Sequence, residues 1–557
     1  MPRRNSPRKH TIGAIWASVA LLAAFCLIGM MLISEDSSIK FSHESGFYKD
    51  SIFLELSVDD NSKIYYTLDG TEPNEFSNVY SKPIKISEEL LSDNVYSMID
   101  STSVGFLEDL IRERKSTGEI PEYRIPDYSV DKCLVVRAVT IDGFGRKGVE
   151  RTETYFMDKT PAEYDDCGVI SLIINPEYLF DEKEGIYVTG QVFEDYMNNL
   201  GGISESWRCW EANYTQRGSK WERRAYVNVF DAQGNNTADE SVGIRIHGGI
   251  SRATLPKSLN LYGEHNYVLS AGGNQTITQF NDYMVSERLA LIEPDVAYVS
   301  YRPYVLFIDG EYWGFYWASE KYDNQYFNKY YNVDPNNVIM VKDGAIELGE
   351  DEDVKVYREM VQYISNSDMS GEEEYVKAKQ LVDMESLMDY YAIMLYIGIS
   401  EDWPMCNVSQ WRSRTIDDSS DYSDGKWRYI IYDCNSTSLG EMLKQGEQYD
   451  YNTLQYIINN DSLFSSLWKN ESFQKEFIDR CYYIGNKCFD AEAMRKYIEN
   501  YAKKMTPIMS KSWKRFYGAD NNKQEEFEAK LVIYEDFFEN RKQDLDMMFS
   551  DYIIYEK

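Results

Sequence analysis

The sequence predicts an α+β protein: one transmembrane helix, a small β-sandwich, and a larger domain with a sheet-rich first part and a helical second part. Three observations support this prediction. Residues 11–34 form an uncharged apolar segment, residues 40–158 contain short alternating segments separated by tight turns, and residues 165–557 pass from strand-like to helical periodicity. A chain of 557 residues is also too long for one compact domain.

The N-terminal segment has the pattern of a membrane anchor. Residues 1–10 form a basic tail, and residues 11–34 supply enough apolar length to cross a bilayer as a helix. Because basic residues precede the span and Glu35 and Asp36 follow it, we expect a cytoplasmic tail and a body outside the cytoplasm. The alternative is a cleaved signal peptide, but the apolar run is long and lacks a small-residue cleavage site. The sequence therefore predicts a single-pass membrane protein.

The composition narrows the class of function. Asp and Glu number 92 against 58 Lys and Arg, so the formal net charge is −34. Such a surface repels nucleic acid and favours cationic partners or divalent metals, although acidity also simply keeps proteins soluble. Only four histidines occur, which argues against zinc hydrolases and Ser-His-Asp enzymes. The eight cysteines include no CxxC pair and do not form a disulfide framework.

The first body segment, residues 40–158, reads as a β-sandwich. Strand-like alternation recurs around Asp-Gly turns, which favour tight hairpins. A polar, partly helical insertion at residues 88–128 interrupts the pattern. The predicted strands cover residues 51–56, 63–67, 132–140 and 151–156.

The second segment, residues 165–557, begins with strands and ends with helices. Its strand-like pieces cover residues 169–174, 225–230, 242–247, 258–261 and 304–308. Helical periodicity appears in residues 385–397, 471–483, 491–505 and 525–549.

Two strand-associated motifs in this domain suit phosphate binding. Gly248 and Gly249 follow a strand, and such paired glycines let backbone N–H groups approach phosphate oxygens, although they also occur in bare hairpin turns. Lys257, before the next strand, is placed to reach a phosphate as a point charge. Glu320 ends a later strand and is expected to orient Lys257 through an ion pair, unless it is only a solvated surface acid.

Two further motifs suit phosphoryl transfer with a divalent metal. Asp402 and Asn407 are separated by four residues on a turn that contains Pro404, and protein kinases use this Asp-x4-Asn spacing in their catalytic loop. A strand of aromatic and β-branched residues ends at Asp433, where a metal-binding carboxylate would be presented, and Asn435 offers another oxygen ligand. Each motif alone is common by chance.

Taken together and in order, these motifs resemble the spore-coat protein H (CotH) kinase family over most of residues 168–557. The resemblance implies a secretory-type atypical protein kinase that binds ATP with Mg²⁺ or Mn²⁺ and phosphorylates Ser or Thr on partner proteins. The segments that carry it are 185–190, 221–223, 245–257, 310–314, 402–407, 432–433 and 537–541. Residues 40–158 resemble the chitobiase/hexosaminidase C-terminal-like module, through residues 65–73, 136–138 and 154–156.

The resemblance implies roles for individual residues. Asp402 corresponds to the catalytic acid or base, and Asn407 and Asp433 correspond to metal ligands. Lys257 is the first candidate for the phosphate-binding lysine and Lys342 the second. The family commonly has Asp-x-Asp where this chain has Asp433-Cys434-Asn435. Either activity survives with altered metal affinity, or the protein is a degenerate binder.

Three functions remain open from the sequence. The first is a kinase acting on surface or spore-coat proteins, with basic, Ser-rich substrates favoured by the acidic surface. The second is a non-catalytic cell-surface scaffold, in which the β-sandwich contacts wall polysaccharide. A glycosidase is the weakest, because no pair of facing carboxylates can be assigned.

Overall fold

The computed structural model describes residues 38–59, 62–102, 114–115, 121–143, 145–199, 206–399, 403–434 and 452–552. The predicted anchor at residues 11–34 and the predicted site residues Asp402 and Asn435 lie outside these ranges. Within these ranges, no helix combines the length and apolar character needed to cross a bilayer.

The chain divides into two compact units. The first runs up to Leu90 and resumes at Leu134–Asp158, and the second combines Leu91–Cys133 with the chain from Lys159 onward. Most of the insertion predicted at residues 88–128 therefore belongs to the second unit rather than to the first.

The described residues of the first unit are mainly β-strands. A five-stranded sheet has the order β2-β9-β8-β5-β6, and β1 with β4 and β3 with β7 form two-stranded sheets. The predicted strand at residues 51–56 is divided between β3 and β4, which pair with different partners. The strands are β1 (Lys40–Phe41), β2 (Gly46–Tyr48), β3 (Ile52–Leu54), β4 (Leu56–Ser57), β5 (Lys63–Thr67), β6 (Asn78–Val79), β7 (Ile84–Ile86), β8 (Leu134–Ile141) and β9 (Arg151–Met157).

The second unit begins with a closed seven-stranded barrel of order β10-β11-β12-β13-β14-β16-β15. Neighbouring strands are antiparallel except β10 and β15, whose parallel pairing closes the barrel and leaves no free sheet edge. Its strands are β10 (Gly168–Ile174), β11 (Arg223–Phe230), β12 (Asn236–Ile246), β13 (Leu259–Tyr262), β14 (Asn266–Ser270), β15 (Arg302–Ile308) and β16 (Glu311–Glu320).

An Asp-Gly turn joins β15 and β16 in a hairpin. Asp309 and Gly310 both have positive φ, at 45° and 85°, which matches the right-handed twist of the strands they join. The turn thereby places Glu311 at the first position of β16.

A four-stranded antiparallel sheet follows the barrel, in the order β18-β17-β19-β20. Its strands are β17 (Val338–Lys342), β18 (Ala345–Leu348), β19 (Ser409–Ser413) and β20 (Arg428–Ile430). Trp411, from β19, and Ile430, from β20, pack with Phe327 in a buried cluster beneath this sheet.

The rest of the second unit is mainly helical, as predicted. Its helices are α1 (Pro176–Phe180), α2 (Gly190–Asn199), α3 (Asn281–Leu289), α4 (Asn324–Tyr331), α5 (Val354–Asn366), α6 (Glu372–Leu381), α7 (Met384–Tyr396), α8 (Thr453–Asn460), α9 (Ser462–Leu467), α10 (Glu471–Cys488), α11 (Ala491–Tyr517) and α12 (Lys523–Phe549). The structure is therefore mixed α/β, with a sheet-rich first part and a helical second part.

Helix α7 is the centre of the helical part. Almost every residue of α7 is buried, as expected for a helix that is apolar on all sides. The fully buried Arg541 of α12 donates to the carbonyl oxygens of Tyr396 (2.8 Å) and Leu395 at the end of α7, and the Leu395 oxygen also accepts the Gly398 N–H at 3.1 Å. The C-terminal helix therefore holds the end of α7.

A buried ion pair fastens the segment Leu91–Cys133 to the barrel. The Lys132 Nζ lies 3.2 Å from the Glu311 Oε1, and the side chains are 6% and 4% exposed. The same carboxylate accepts the backbone N–H groups of Val95 (2.6 Å) and Ser97 (2.8 Å). Burial would raise the pKa of Glu311, but these hydrogen bonds and the Lys132 charge hold it below its ordinary value. Val95, Ser97 and Lys132 thus contact the first residue of β16.

Candidate active site

A cleft of about 530 Å³ lies between the barrel and the four-stranded sheet of the second unit. Residues of β12, β13, β14 and β16 line one side, and residues of β17, β18 and the segment 431–433 line the other. Its volume suits a nucleotide-sized ligand. Six predicted site residues line it: Gly248, Gly249, Glu320, Lys342, Asn407 and Asp433.

The paired glycines form a turn that a larger residue would disturb. Gly248 has a φ of +112°, and a Cβ there would lie 2.5 Å from the Ser251 Oγ. The Arg252 Nε donates to the Gly248 carbonyl oxygen at 2.7 Å, and its NH1 donates to the Gln216 carbonyl at 2.7 Å. Because Gly249 has open space where its Cβ would be, a ligand can approach this backbone closely.

Several cationic side chains line the cleft. The Lys342 Nζ lies 3.8 Å from the centre of the Tyr432 ring, and the Lys321 Nζ donates to the Tyr262 hydroxyl at 3.1 Å. Arg245 pairs with Glu222, its Nε lying 2.9 Å from the carboxylate. Arg217 also lines this surface. These charges suit a polyanionic ligand.

Lys257 does not line this cleft. Its Nζ donates to the Arg252 carbonyl oxygen at 2.6 Å and lies 3.8 Å from the centre of the Tyr214 ring. Burial lowers the pKa of Lys257 well below its ordinary value. Period-two alternation gives the reason, because residues 257, 259 and 261 share the face that enters the barrel core, whereas Ser258 and Asn260 line the cleft.

The predicted ion pair between Lys257 and Glu320 is not formed. The Glu320 carboxylate instead accepts from the Lys329 Nζ (2.6 Å) and the Tyr330 hydroxyl (2.5 Å). Burial raises the pKa of Glu320, but its hydrogen bonds to Lys329 and Tyr330 leave that pKa below the ordinary value. Glu320 therefore lies at the cleft with its charge already matched.

The oxygen ligands predicted for a metal lie in strained turns at the cleft. Asn407 and Asp433 have φ of 61° and 52°, in the left-handed region where Asn and Asp are enriched. Next to Asn407, the Val408 N–H donates to the Asp343 Oδ1 at 3.0 Å. Conformations of this kind persist where surrounding contacts fix them, and they cluster at functional sites.

This donor set fits Mg²⁺ or Mn²⁺. Both cations prefer oxygen ligands, and Mg²⁺ commonly uses one or two carboxylates together with substrate phosphates. Asp433 offers a carboxylate and Asn407 an amide oxygen on the same cleft. Among the residues that the structure describes, no group of three or more His, Cys, Asp or Glu side chains is placed to hold a metal ion.

Asp282 is an acid of this cleft that sequence reasoning missed. It lies in the first turn of α3, and its Oδ1 accepts the backbone N–H of Cys434 at 2.7 Å. The two residues are 152 positions apart, so no local pattern signals the contact. Lys321 was also missed, and its position directly after β16 is the sequence signal that was available for it.

His247 lies among these cations as a neutral ring. Its Nδ1 lies 3.1 Å from the Asn260 Oδ1. Burial lowers the pKa of His247 to about 4, although the hydrogen bond opposes this and the charges of Arg252, Lys321 and Lys342 add to it. The ring therefore adds no positive charge to the cleft at neutral pH.

We expect His247 to titrate near pH 4, well below an ordinary histidine. Because the unfolded chain then takes up this proton first, the free energy of unfolding should fall as the pH drops from about 6.5 towards 4. NMR of the four histidine rings, assigned with His247→Gln, measures the pKa. A His247 ring that titrates near the ordinary histidine value of 6.5 would contradict this expectation, as would an unchanged acid sensitivity in His247→Gln.

The cleft thus brings together cationic side chains, a glycine turn, a carboxylate and an amide. The model of the family described as CotH kinase protein matches residues 244–545, so the chain belongs to this family. That membership suggests an atypical protein kinase. The chitobiase/beta-hexosaminidase C-terminal domain model matches residues 43–91, within the first unit. No curated protein matches the chain.

Proposed function

We propose that the protein is an atypical protein kinase that transfers the terminal phosphoryl group of ATP to Ser or Thr hydroxyls of surface or spore-coat proteins. The observation that supports it best is the cleft in which Lys342 and Lys321 lie with Asp433 and Asn407. Cations are needed on the phosphate side and oxygen ligands on the metal side of a phosphoryl-transfer site. The CotH kinase match over residues 244–545 supports the same proposal.

Each residue has a part in the proposed reaction. Lys342 and the Gly248–Gly249 turn bind phosphate oxygens, and Asp433 and Asn407 hold Mg²⁺ or Mn²⁺. When bound, the cation neutralises charge on the phosphates. Asp402 accepts the proton of the acceptor hydroxyl, whose oxygen attacks the terminal phosphorus as the bond to the bridging oxygen breaks and ADP leaves.

The acidic chain favours basic, Ser-rich acceptor proteins. A net charge of −34 attracts cationic segments and steers their encounter with the surface. Residues 11–34 are proposed to anchor the protein in a membrane, with its body outside the cytoplasm. The competing function is a non-catalytic surface scaffold in which the first unit binds wall polysaccharide.

Calorimetry of the full-length protein in detergent separates the two functions. ATP is titrated in the presence and absence of Mn²⁺, and a chitin oligosaccharide is titrated separately. Saturable binding of ATP that requires Mn²⁺, together with phosphate transfer to a basic Ser-rich peptide, supports the kinase. Absence of ATP binding combined with oligosaccharide binding would instead support the scaffold.

Paired lysine variants test which lysine serves the phosphates. Lys342→Met should weaken ATP binding about tenfold to a hundredfold, because a hydrogen bond to a charged group contributes about 1.5–3 kcal/mol. Lys257→Met is the matched control, since the Lys257 Nζ lies over the Tyr187 and Tyr214 rings and the residue does not line the cleft. The ATP affinities of the two variants, measured by calorimetry, show which lysine binds the phosphates. Loss of affinity in Lys257→Met with none in Lys342→Met would return the role to Lys257.

A further inference from the structure

The first residues of helix α3 form hydrogen bonds with both the backbone N–H and the backbone carbonyl oxygen of Cys434. The Asp282 Oδ1 accepts the Cys434 N–H at 2.7 Å, and the Asn281 Nδ2 donates to the Cys434 carbonyl oxygen at 3.1 Å. Asn281 and Cys434 are each 1% exposed. A hydrogen bond in such a buried place is costly to lose, because the group left behind has no water to replace its partner.

These contacts bear directly on Asp433. The N–H of Cys434 belongs to the peptide plane that follows Asp433, so fixing this N–H fixes the backbone rotation that aims the Asp433 side chain. Asp433 has a φ of 52°, a conformation that costs on the order of 1–3 kcal/mol and persists only when its surroundings determine it. The Asp282 carboxylate is one of the groups that do so.

The two acids also share one environment. Both line the cleft. Burial raises the pKa of Tyr301 well above its ordinary value, and the charges of Asp282 and Asp433 both add to this effect. Asp282 and Asp433 therefore face the same cleft.

A simpler role for Asp282 must be separated from this one. An acidic residue in the first turn of a helix stabilises the helix through its dipole, and Asp282 occupies such a position in α3. That role would require no contact with residue 434. The 2.7 Å hydrogen bond to the Cys434 N–H is what ties Asp282 to the turn that carries Asp433.

We propose that Asp282 is a positioning residue for the divalent-cation site, acting through the Cys434 N–H to hold the Asp433 carboxylate in its binding conformation. The inference rests on the proposed function, because the cation that Asp433 would hold is that of the metal–ATP complex. It assigns to α3 a role in the site that the Asp433-Cys434-Asn435 motif alone does not reveal. Groups that orient metal ligands commonly affect metal affinity about 10- to 100-fold.

Two variants of Asp282 test the hydrogen bond. Asp282→Ala removes the acceptor, whereas Asp282→Asn keeps an oxygen that accepts the Cys434 N–H. For full-length protein, the Mn²⁺ concentration that half-saturates ATP binding should rise about 10- to 100-fold in Asp282→Ala and stay near the wild-type value in Asp282→Asn. At saturating Mn²⁺, the ATP affinity of Asp282→Ala should return towards wild type. Glu287→Gln, an exposed acid on the same helix, is the matched control and should behave as wild type.

The outcomes are distinct. An unchanged Mn²⁺ requirement in Asp282→Ala overturns the positioning role, and so does an equal loss in the Ala and Asn variants, because charge and not the hydrogen bond would then matter. If Asp282→Ala does not fold, Asn281→Ala decides, since it removes the donor to the Cys434 carbonyl and should also raise the Mn²⁺ requirement. If the wild type binds no ATP with Mn²⁺, the proposed function itself fails and the positioning role falls with it.

Discussion

Asp433→Asn is expected to lower metal-dependent ATP binding and phosphate transfer by about 10²–10³-fold, the loss typical when one electrostatic contact of an active site is removed. The motif would then read Asn-Cys-Asn and would carry no carboxylate for the cation.

Asp402→Ala should behave differently: transfer is lost by about 10²–10⁴-fold while ATP binding is retained, because a general base acts only on the acceptor hydroxyl. Calorimetry and a phosphorylation assay on the same preparations separate binding from chemistry.

Glu347→Gln provides the matched control for charge. Glu347 borders the same cleft, on strand β18, and its replacement removes one negative charge without touching either turn that carries the oxygen ligands. We expect near wild-type binding and transfer. Full ATP binding by Asp433→Asn would contradict the proposal that Asp433 holds the cation. Full phosphate transfer by Asp402→Ala would contradict the proposal that Asp402 is the general base.

Lys132→Met is expected to destabilise the second unit by about 3–5 kcal/mol, the usual result of removing one partner of a buried ion pair. The Glu311 carboxylate would stay buried with only the Val95 and Ser97 N–H groups to compensate it. Denaturant unfolding followed by tryptophan fluorescence measures this, because every tryptophan after Trp16 lies between residues 207 and 513. A change below about 1 kcal/mol, the value of an exposed pair, would contradict the expectation.

A control variant and the pH dependence test whether this loss of stability comes from the buried ion pair. Lys511→Met breaks an exposed pair with Asp165 in the same unit and should cost less than about 1 kcal/mol. The Lys132 effect should also depend on pH. Because the folded-state pKa of Glu311 lies below its ordinary value of 4.5, its stabilising contribution is present above pH 4.5 and is lost as the pH falls through the folded-state pKa. The difference between Lys132→Met and wild type should therefore shrink in acid.

Much of the fold was predictable because its signals are local. The Asp309–Gly310 turn needs positive φ at both residues, and Asp-Gly supplies it. The last three long helices follow from periodicity, and the observed α10, α11 and α12 cover the predicted segments. Gly248 and Asp433, which line the cleft, each follow a strand, and that position can be recognised from sequence alone.

The remaining parts depend on contacts between distant residues. Lys257 is predicted to bind phosphate because it lies near the glycine turn in the sequence. In the closed barrel, however, its side chain lies on the face that Leu259 and Leu261 share. The alternation of the strand indicates which face the Lys257 side chain takes. No pattern near Asp282 predicts its hydrogen bond to Cys434, 152 positions later. The placement of Leu91–Cys133 also follows from a long-range bond, between Lys132 and Glu311.

The bond from Arg541 to the end of α7 sets an order of events for a newly made chain. The carbonyl groups of Leu395 and Tyr396 are made early, whereas their partner Arg541 follows 146 and 145 positions later. A growing polypeptide that has not yet reached α12 lacks this support. The end of α7 should therefore reach its final hydrogen-bonded arrangement only once α12 has packed against it.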